Sequence, residues 1–390
     1  MNYHAQSPLR AAPSSDALVA RAARLIPSLR EHAAAADRNS RLAAESVQNL
    51  RDQGFFRILQ PAHFGGYEMR PSVLWNVTRE LGRGCGSTAF LLSLLGVHCW
   101  MVGMFDPAAQ AEVFRDGADA IVPNLSIGVR RAAEATRAAG GYVVSGVWDF
   151  ASGIDFADWV IAAIRVPDAN GEMEERIALV APSEFAIDAD SWNMLGARGT
   201  GSKRVRLASS FIPDHRTVAW ADVQAGEYPG SVVNNGPLYQ RTCGGSLLVL
   251  SSAAPVVAVA GAIVDHVVEE MKKRKPQQWV AIELGRSAAQ IHMAHALLIR
   301  DADEVYDTGL ADEDLSLDVQ ARHRADAAII SRTALAAADG LLCVLGTTAL
   351  ACGTPAERAL RDIHTMASHF RVQPEPACEL FGKVLLGLEG

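Results

Sequence analysis

Apolar residues recur three and four apart near the start of the chain, as in Leu18, Ala22, Leu25, Ile26 and Leu29. That spacing predicts an amphipathic helix. Residues 16–118 read as one helical unit, interrupted at Gln60 to Gly66 by Pro61, Gly65 and Gly66. Helix resumes near Ser72. A further helix covers Ser87 to Met104, and Asp106-Pro107 closes it and opens the next.

The period changes near Asp119. Short β-type runs follow at Ala120 to Pro123, Gly141 to Trp148, Trp159 to Val166, Arg176 to Pro182 and Lys203 to Ile212. Gly, Asn, Asp and Pro separate them. Residues 119–222 therefore read as a small β domain, with Thr217 to Pro237 as a connection out of it. From Tyr239 onward the helical period returns, at Pro255 to Lys273, Trp279 to Thr308, Ser316 to Leu345 and Pro355 to Phe370. Pro374 and Pro376 follow the last of these. Four long helices with short connections predict a bundle over residues 223–390. The class is α+β, mostly α. Helices, then strands, then helices is the wrong order for a doubly wound nucleotide-binding fold, which alternates them.

Composition changes this picture in three places. The stretch Thr242 to Val264 carries no charge and is long enough to cross a bilayer. Its glycines, its serines and Pro255 instead favour a buried bundle helix begun near Pro255. The formal net charge is -8, which offers no basic face to nucleic acid. The one dense basic run, Lys272, Lys273, Arg274 and Lys275, reads as a solvated helix end or as a clamp for a ligand phosphate. Cys85, Cys99, Cys243, Cys343, Cys352 and Cys378 are scattered, with no CxxC pair. They predict reduced thiols and a cytoplasmic protein. Met1 to Ser15 reads as a frayed tail, since it has no apolar stretch for a signal peptide.

Several motifs are missing. There is no GxGxxG between a strand and a helix and no GxSxG elbow. The run from Gly196 to Lys203 has its Lys and hydroxyl residue in the wrong order for a P-loop. His292 and His295 are three apart on a helix but lack a Glu-x-x-His setting, so no metal site is expected.

Five stretches, in order along the chain, resemble the acyl-CoA dehydrogenase superfamily. They are GFFRILQPAHFGG (54–66), RGCGSTAFLLSLLGVH (83–98), GVWDFASGIDFADW (146–159), WNMLGARGTGSKRV (192–205) followed by Phe211-Ile212-Pro213, and Arg361-Asp362. Within it, WDFASG, DFADW and LGARGTGSK resemble the oxygenase components of two-component flavin monooxygenases. Many true dehydrogenases carry a carboxylate base about nine residues past the Arg-Asp pair. Here that place reads Ser368-His369-Phe370, with Glu375 nearby. The resemblance implies a reduced flavin (FMNH2 or FADH2), O2 as co-substrate, a separate NAD(P)H:flavin reductase, a small aromatic substrate and a homotetramer. It also implies hydroxylation through a flavin hydroperoxide.

That chemistry needs a dry pocket, a hydrogen bond beside the flavin's central-ring nitrogen, and a base for a ring hydroxyl. Ser152 is the candidate for the hydrogen bond, or else a turn-capping serine. His369 is the first candidate base and His98 the second, against a helix-end and a core histidine respectively. Trp148 and Phe150 alternate along a strand and could present an aromatic face to the cofactor or pack the core. Asn124, Thr200, Ser202 and Arg274 are further cofactor candidates. The rival readings are an acyl-CoA dehydrogenase or flavin oxidase, oxygenation at nitrogen or sulfur, and a non-catalytic binding or assembly module.

Overall fold

Gly86–Val102 is the helix around which the molecule is arranged, and its sequence explains why. It has no charged side chain, and it is buried on every face. A helix that is apolar all round belongs inside. The computed structural model describes residues 12–115, 119–125, 133–167, 171–240, 244–274 and 276–388. In chain order the N-terminal helices are α1 (Ser15–Asn39), α2 (Ala44–Asp52), α3 (Pro71–Gly82), α4 (Gly86–Val102) and α5 (Pro107–Val113). Ser14 caps α1 by accepting from the Ala17 amide, and Asp106 caps α5 through Ala108.

Among the described residues eight strands follow: β1 (Asn124–Leu125), β2 (Ala133–Ala138), β3 (Gly141–Ala151), β4 (Val160–Pro167), β5 (Met173–Val180), β6 (Ala186–Asp188), β7 (Lys203–Pro213) and β8 (Thr217–Ala219). Their order is β6-β7-β3-β2-β4-β5-β8, with β1 paired parallel to β4. The sheet has its own core, in which Val144, Trp148, Ile164 and Val205 meet. The main hydrophobic core lies among the helices and reaches Ile161, Ile177 and Leu179 of the sheet.

The chain then returns to helix: α6 (Trp220–Ala225), α7 (Pro237–Gln240), α8 (Gly244–Lys272), α9 (Gln278–Leu310), α10 (Leu317–Leu345), α11 (Pro355–Ala367) and α12 (Pro374–Leu385). α8 and α10 are long and apolar enough to span a membrane, yet most of the apolar stretch of each is buried within the fold.

Several expectations are corrected. Ala120 to Pro123 forms no strand, while β2, β6 and β8 were not expected; β8 lies in what read as a connection and pairs with β5. The expected boundary after residue 222 falls inside α6. α8 begins at Gly244, so Pro255 is inside the helix rather than at its start. Proline has no N–H for the Ser251 carbonyl, and Ser93 Oγ of α4 donates to that carbonyl instead, at 2.7 Å. α11 stops at Ala367, short of Phe370, and Pro374 opens a further helix instead of following the last. Met1 to Ala11, Thr242, Cys243 and Lys275 lie outside the described residues.

Candidate active site

Phe90, Leu94 and His98 are four apart on α4, so they share one helix face. That face forms one wall of a cavity of about 980 Å³. Leu248, Ser251 and Ser252 of α8 form a second wall. Asn124, Phe150, Ser152, Trp192, Thr200 and Ser202 reach it from the β side, the last turn of α11 contributes His364 to Met366, and the chain leaving it contributes Ser368 to Arg371. The volume is that of a cofactor pocket. No Asp or Glu is among these lining residues.

Phe150 and Trp148 do not share a face. The β3–β7 register shifts between Trp148 and Ala151, and Phe150 takes a positive φ of 63°. This bulge interrupts the alternation. Trp148 turns into the sheet core, where its indole N–H donates to Ala163 O at 3.1 Å. Phe150 turns out, 57% exposed at the cavity wall, edge-on to Trp192. Trp148 is therefore withdrawn as a cofactor contact. Arg274 is also misplaced for one within a single chain: it is exposed just past α8 and does not line the cavity.

Ser152 is buried directly after β3. Its Oγ lies 2.8 Å from Ser202 Oγ, which lies 2.7 Å from Thr200 Oγ1. Thr200 donates its hydroxyl proton to Ala197 O at 2.7 Å. Each hydroxyl has one proton. Ser202 must then donate to Thr200, and Ser152 to Ser202. What Ser152 has left for the cavity is lone pairs.

His98 and His369 are neutral, for the same main cause. Burial lowers His98 to about 3, with help from Arg371, and burial lowers His369 to about 3, again with Arg371. Their rings face differently. His98 hydrogen-bonds the Val122 backbone through one nitrogen, and its buried Nδ1 has no partner among the described residues. That nitrogen is a free acceptor. His369 Nδ1 instead accepts from the Arg371 amide at 3.3 Å as the cap of a 3-10 turn, which places the neutral ring's proton on Nε2. The early end of α11 is what delivers His369 here. Its ring stacks on Phe370 and meets Phe90 edge-on. Asn124 Oδ1 is a second buried acceptor without a partner among the described residues, while Nδ2 of that residue contacts Met101 Sδ. A planar heterocycle with N–H and C=O groups on its edge fits such a lining.

Asp362 fixes the floor of the site. It accepts from the Ala197 amide at 2.7 Å, and burial raises its pKa to about 6. Arg361 is held by Asp37, Glu357 and Leu195 O. Glu375 is exposed in the first turn of α12, away from the cavity. His292 and His295 face apart: the first is exposed, and the second is buried against Asn76. Asp301, Glu304 and His323 bring donor atoms within 4.8 Å of one another, but Arg300 and Arg322 already engage the carboxylates. Arg371 escaped the sequence reading altogether; a lone cation after an aromatic residue gave no signal.

Two family models match, the acyl-CoA dehydrogenase N-terminal domain over residues 16–114 and its C-terminal domain over residues 250–374. The oxygenase subunit HsaA of a flavin-dependent monooxygenase from Rhodococcus jostii (strain RHA1) is 30% identical, over 93% of this chain and 97% of its own length. The oxygenase component of a FADH(2)-dependent resorcinol hydroxylase from Rhizobium sp. is 29% identical, over 99% and 98%. The crystal structure of 3-HSA hydroxylase from Rhodococcus sp. RHA1 superposes with a TM-score of 0.91 at 29% identity, covering 96% of this chain and 97% of that one. The expected fold and branch are therefore found: with this cavity, these neutral histidines and this likeness along nearly its whole length, the chain belongs to the oxygenase components of flavin-dependent monooxygenases, reduced-flavin- and O2-using enzymes of the acyl-CoA dehydrogenase fold.

Proposed function

We propose that this chain hydroxylates an aromatic ring that already bears a hydroxyl group. The observation that carries the reading is a cavity in which His98 and His369, two of its three lining histidines, are held neutral, and whose described lining has no carboxylate. An acyl-CoA dehydrogenase needs a carboxylate base there.

Reduced flavin, when bound, supplies the activation of O2 and the transfer of one oxygen atom. The protein's residues do the rest. Ser152 offers an acceptor, which suits the N–H that only the reduced ring carries at its central nitrogen. Phe150, Asn124, Thr200 and Ser202 complete the β-side wall that would hold the ring system. Phe90, Leu94, Leu248 and Met366 keep water away from the reacting centre. His98 Nδ1 accepts the hydrogen bond of the substrate hydroxyl, and His369 Nε2–H donates to a substrate or cofactor oxygen. Drawing that proton away from the ring oxygen enriches the ring in electrons for attack. This order reverses the one expected from sequence, in which His369 was the first base.

The test mixes the protein with photoreduced FMN or FAD and a panel of simple phenols, then adds O2. Hydroxylated product with suppressed hydrogen peroxide supports the reading. Peroxide yields equal to a protein-free control throughout, with no retention of reduced flavin, would sink it. Reduction of bound FAD by an acyl-CoA would restore the dehydrogenase reading.

A separate NAD(P)H:flavin reductase supplies the reduced cofactor, since no dinucleotide fingerprint is present in the sequence. A homotetramer is supported by exposed apolar side chains on α9, with Trp279 at 53%, Ile282 at 63% and Met293 at 60%. In such an assembly Arg274 could reach a neighbour's cofactor phosphate. The described cysteines are all unpaired, which fits a cytoplasmic setting. Light scattering on the purified chain decides the assembly.

A further inference from the structure

We infer that the cavity recognises an oxygen anion on the aromatic substrate and that Arg371 is its counter-charge. The inference rests on the reading above and narrows its substrate class. Arg371 is the one permanently charged side chain among the described lining residues. Arg361, ten positions earlier, shows what a neutralised arginine looks like in this fold: Asp37 and Glu357 both pair with it. Arg371 has no such partner among the described residues. Its guanidinium lies over the Phe370 ring, 4.9 Å from the centroid. Among the described residues, the one charged group that acts on it appreciably is another cation, Arg324 of α10. Burial, then Arg324, bring its pKa down to about 10. The nearby histidines add no compensating negative charge, because both are neutral or cationic at any pH.

A half-buried cation with no counter-charge among the described residues is costly to hold, and the cost is recovered when a ligand brings the anion. The planar fork of a guanidinium suits two oxygens of a carboxylate or one of a phenolate. Both sources share the chemistry of an anionic oxygen on an aromatic ring, held beside His98 and His369.

The experiment uses the full chain with reduced flavin under anaerobic conditions and three probes: para-nitrophenol, para-nitrobenzoate and nitrobenzene. The visible spectrum of bound para-nitrophenol reports its ionisation directly in the wild-type protein. Enrichment of the phenolate on binding identifies the ring hydroxyl as the anion source; preferential binding of para-nitrobenzoate identifies a carboxylate. In either case Arg371→Gln should weaken the anionic probe about 10- to 100-fold, Arg371→Lys should recover part of that, and nitrobenzene should change little. Binding of para-nitrophenol in its protonated form, with no preference for para-nitrobenzoate over nitrobenzene, would overturn the inference without any variant. So would a loss in Arg371→Gln that falls on reduced flavin instead of the anionic probes. Failure of the wild-type chain to retain reduced flavin at all strikes the oxygenase reading instead, and is measured separately.

Discussion

Ser202 Oγ sits 2.8 Å from Ser152 Oγ, and the bond between them has a direction imposed from outside the pair. Thr200 donates to Ala197 O, so Ser202 donates to Thr200 and Ser152 to Ser202. Ser152 is left as an acceptor. Reduced flavin has an N–H to give it, and oxidised flavin does not. Ser202→Ala breaks the order and lets the Ser152 hydroxyl turn. The ratio of reduced to oxidised flavin affinity should then fall about 3- to 10-fold, the worth of one hydrogen bond. Anaerobic and aerobic fluorescence titrations of both proteins give the ratio. An unchanged ratio would detach the hydroxyl chain from the choice of cofactor state.

His98 and His369 should separate kinetically. His98→Asn removes the free acceptor nitrogen, so coupled hydroxylation of a phenol should drop by roughly 10²-fold, with oxygen still consumed to peroxide. Raising the pH above the substrate's own hydroxyl pKa should restore much of it, because the substrate then arrives ionised. His369→Asn should also lower hydroxylation while flavin still binds, but pH should not rescue it. Rescue of His369→Asn rather than His98→Asn would return the base to His369.

How far the sequence reached can be judged at single residues. α4 was legible because a charge-free run with Phe90, Leu94 and His98 at helical spacing has one reading. The β3 bulge was not, because a period of two cannot show a residue that leaves the ladder, and so Trp148 and Phe150 were placed together. Ser152 and His369 were found through resemblance, and the structure brings both to one cavity. Arg371 was missed because what distinguishes it is a missing carboxylate, a fact of three dimensions.

The separation of the two aromatics has its own test. Trp148→Phe keeps most of the packing but leaves Ala163 O without its indole donor, at a cost of roughly 1–2 kcal/mol in urea unfolding. Its flavin affinity should stay within about twofold of wild type, well under one hydrogen bond's worth. Phe150→Ala should do the opposite, loosening flavin with little change in stability. Equal losses of flavin affinity in both would contradict the bulge.

His98 also makes stability depend on pH. In the unfolded chain it titrates near 6.5; in the fold burial holds it neutral down to about 3. Unfolding between these values takes up a proton, so its contribution is complete above pH 6.5 and declines as pH falls towards 3. The slope is about 1.4 kcal/mol per pH unit. Asp362 works in the other direction: raised to about 6, it makes stability fall as pH rises from its ordinary value near 3.8. Comparing wild type with His98→Gln cancels that term. Urea unfolding from pH 6.5 to 5 should show a slope in the variant smaller by about one proton. Identical slopes would mean that His98 is protonated in the fold.

Ser93 and Pro255 should be coupled although they lie on different helices. Pro255 cannot bond the Ser251 carbonyl, and Ser93 takes that place. Ser93→Ala leaves a buried carbonyl unpaired and should cost about 1–3 kcal/mol. Pro255→Ala supplies the missing N–H within α8, so the same Ser93→Ala change should cost much less in that background. The double-mutant cycle measures the difference. Ser251 and Ser252 both line the cavity, and both hydroxyls bond back to Leu248 O. Restoring the helical N–H at position 255 therefore acts on the cavity wall as well as on stability. Pro255→Ala should retain its fold, or even gain stability, while substrate coupling falls. Full additivity of the two substitutions would show that the Ser251 carbonyl finds another donor, and that the proline shapes nothing here.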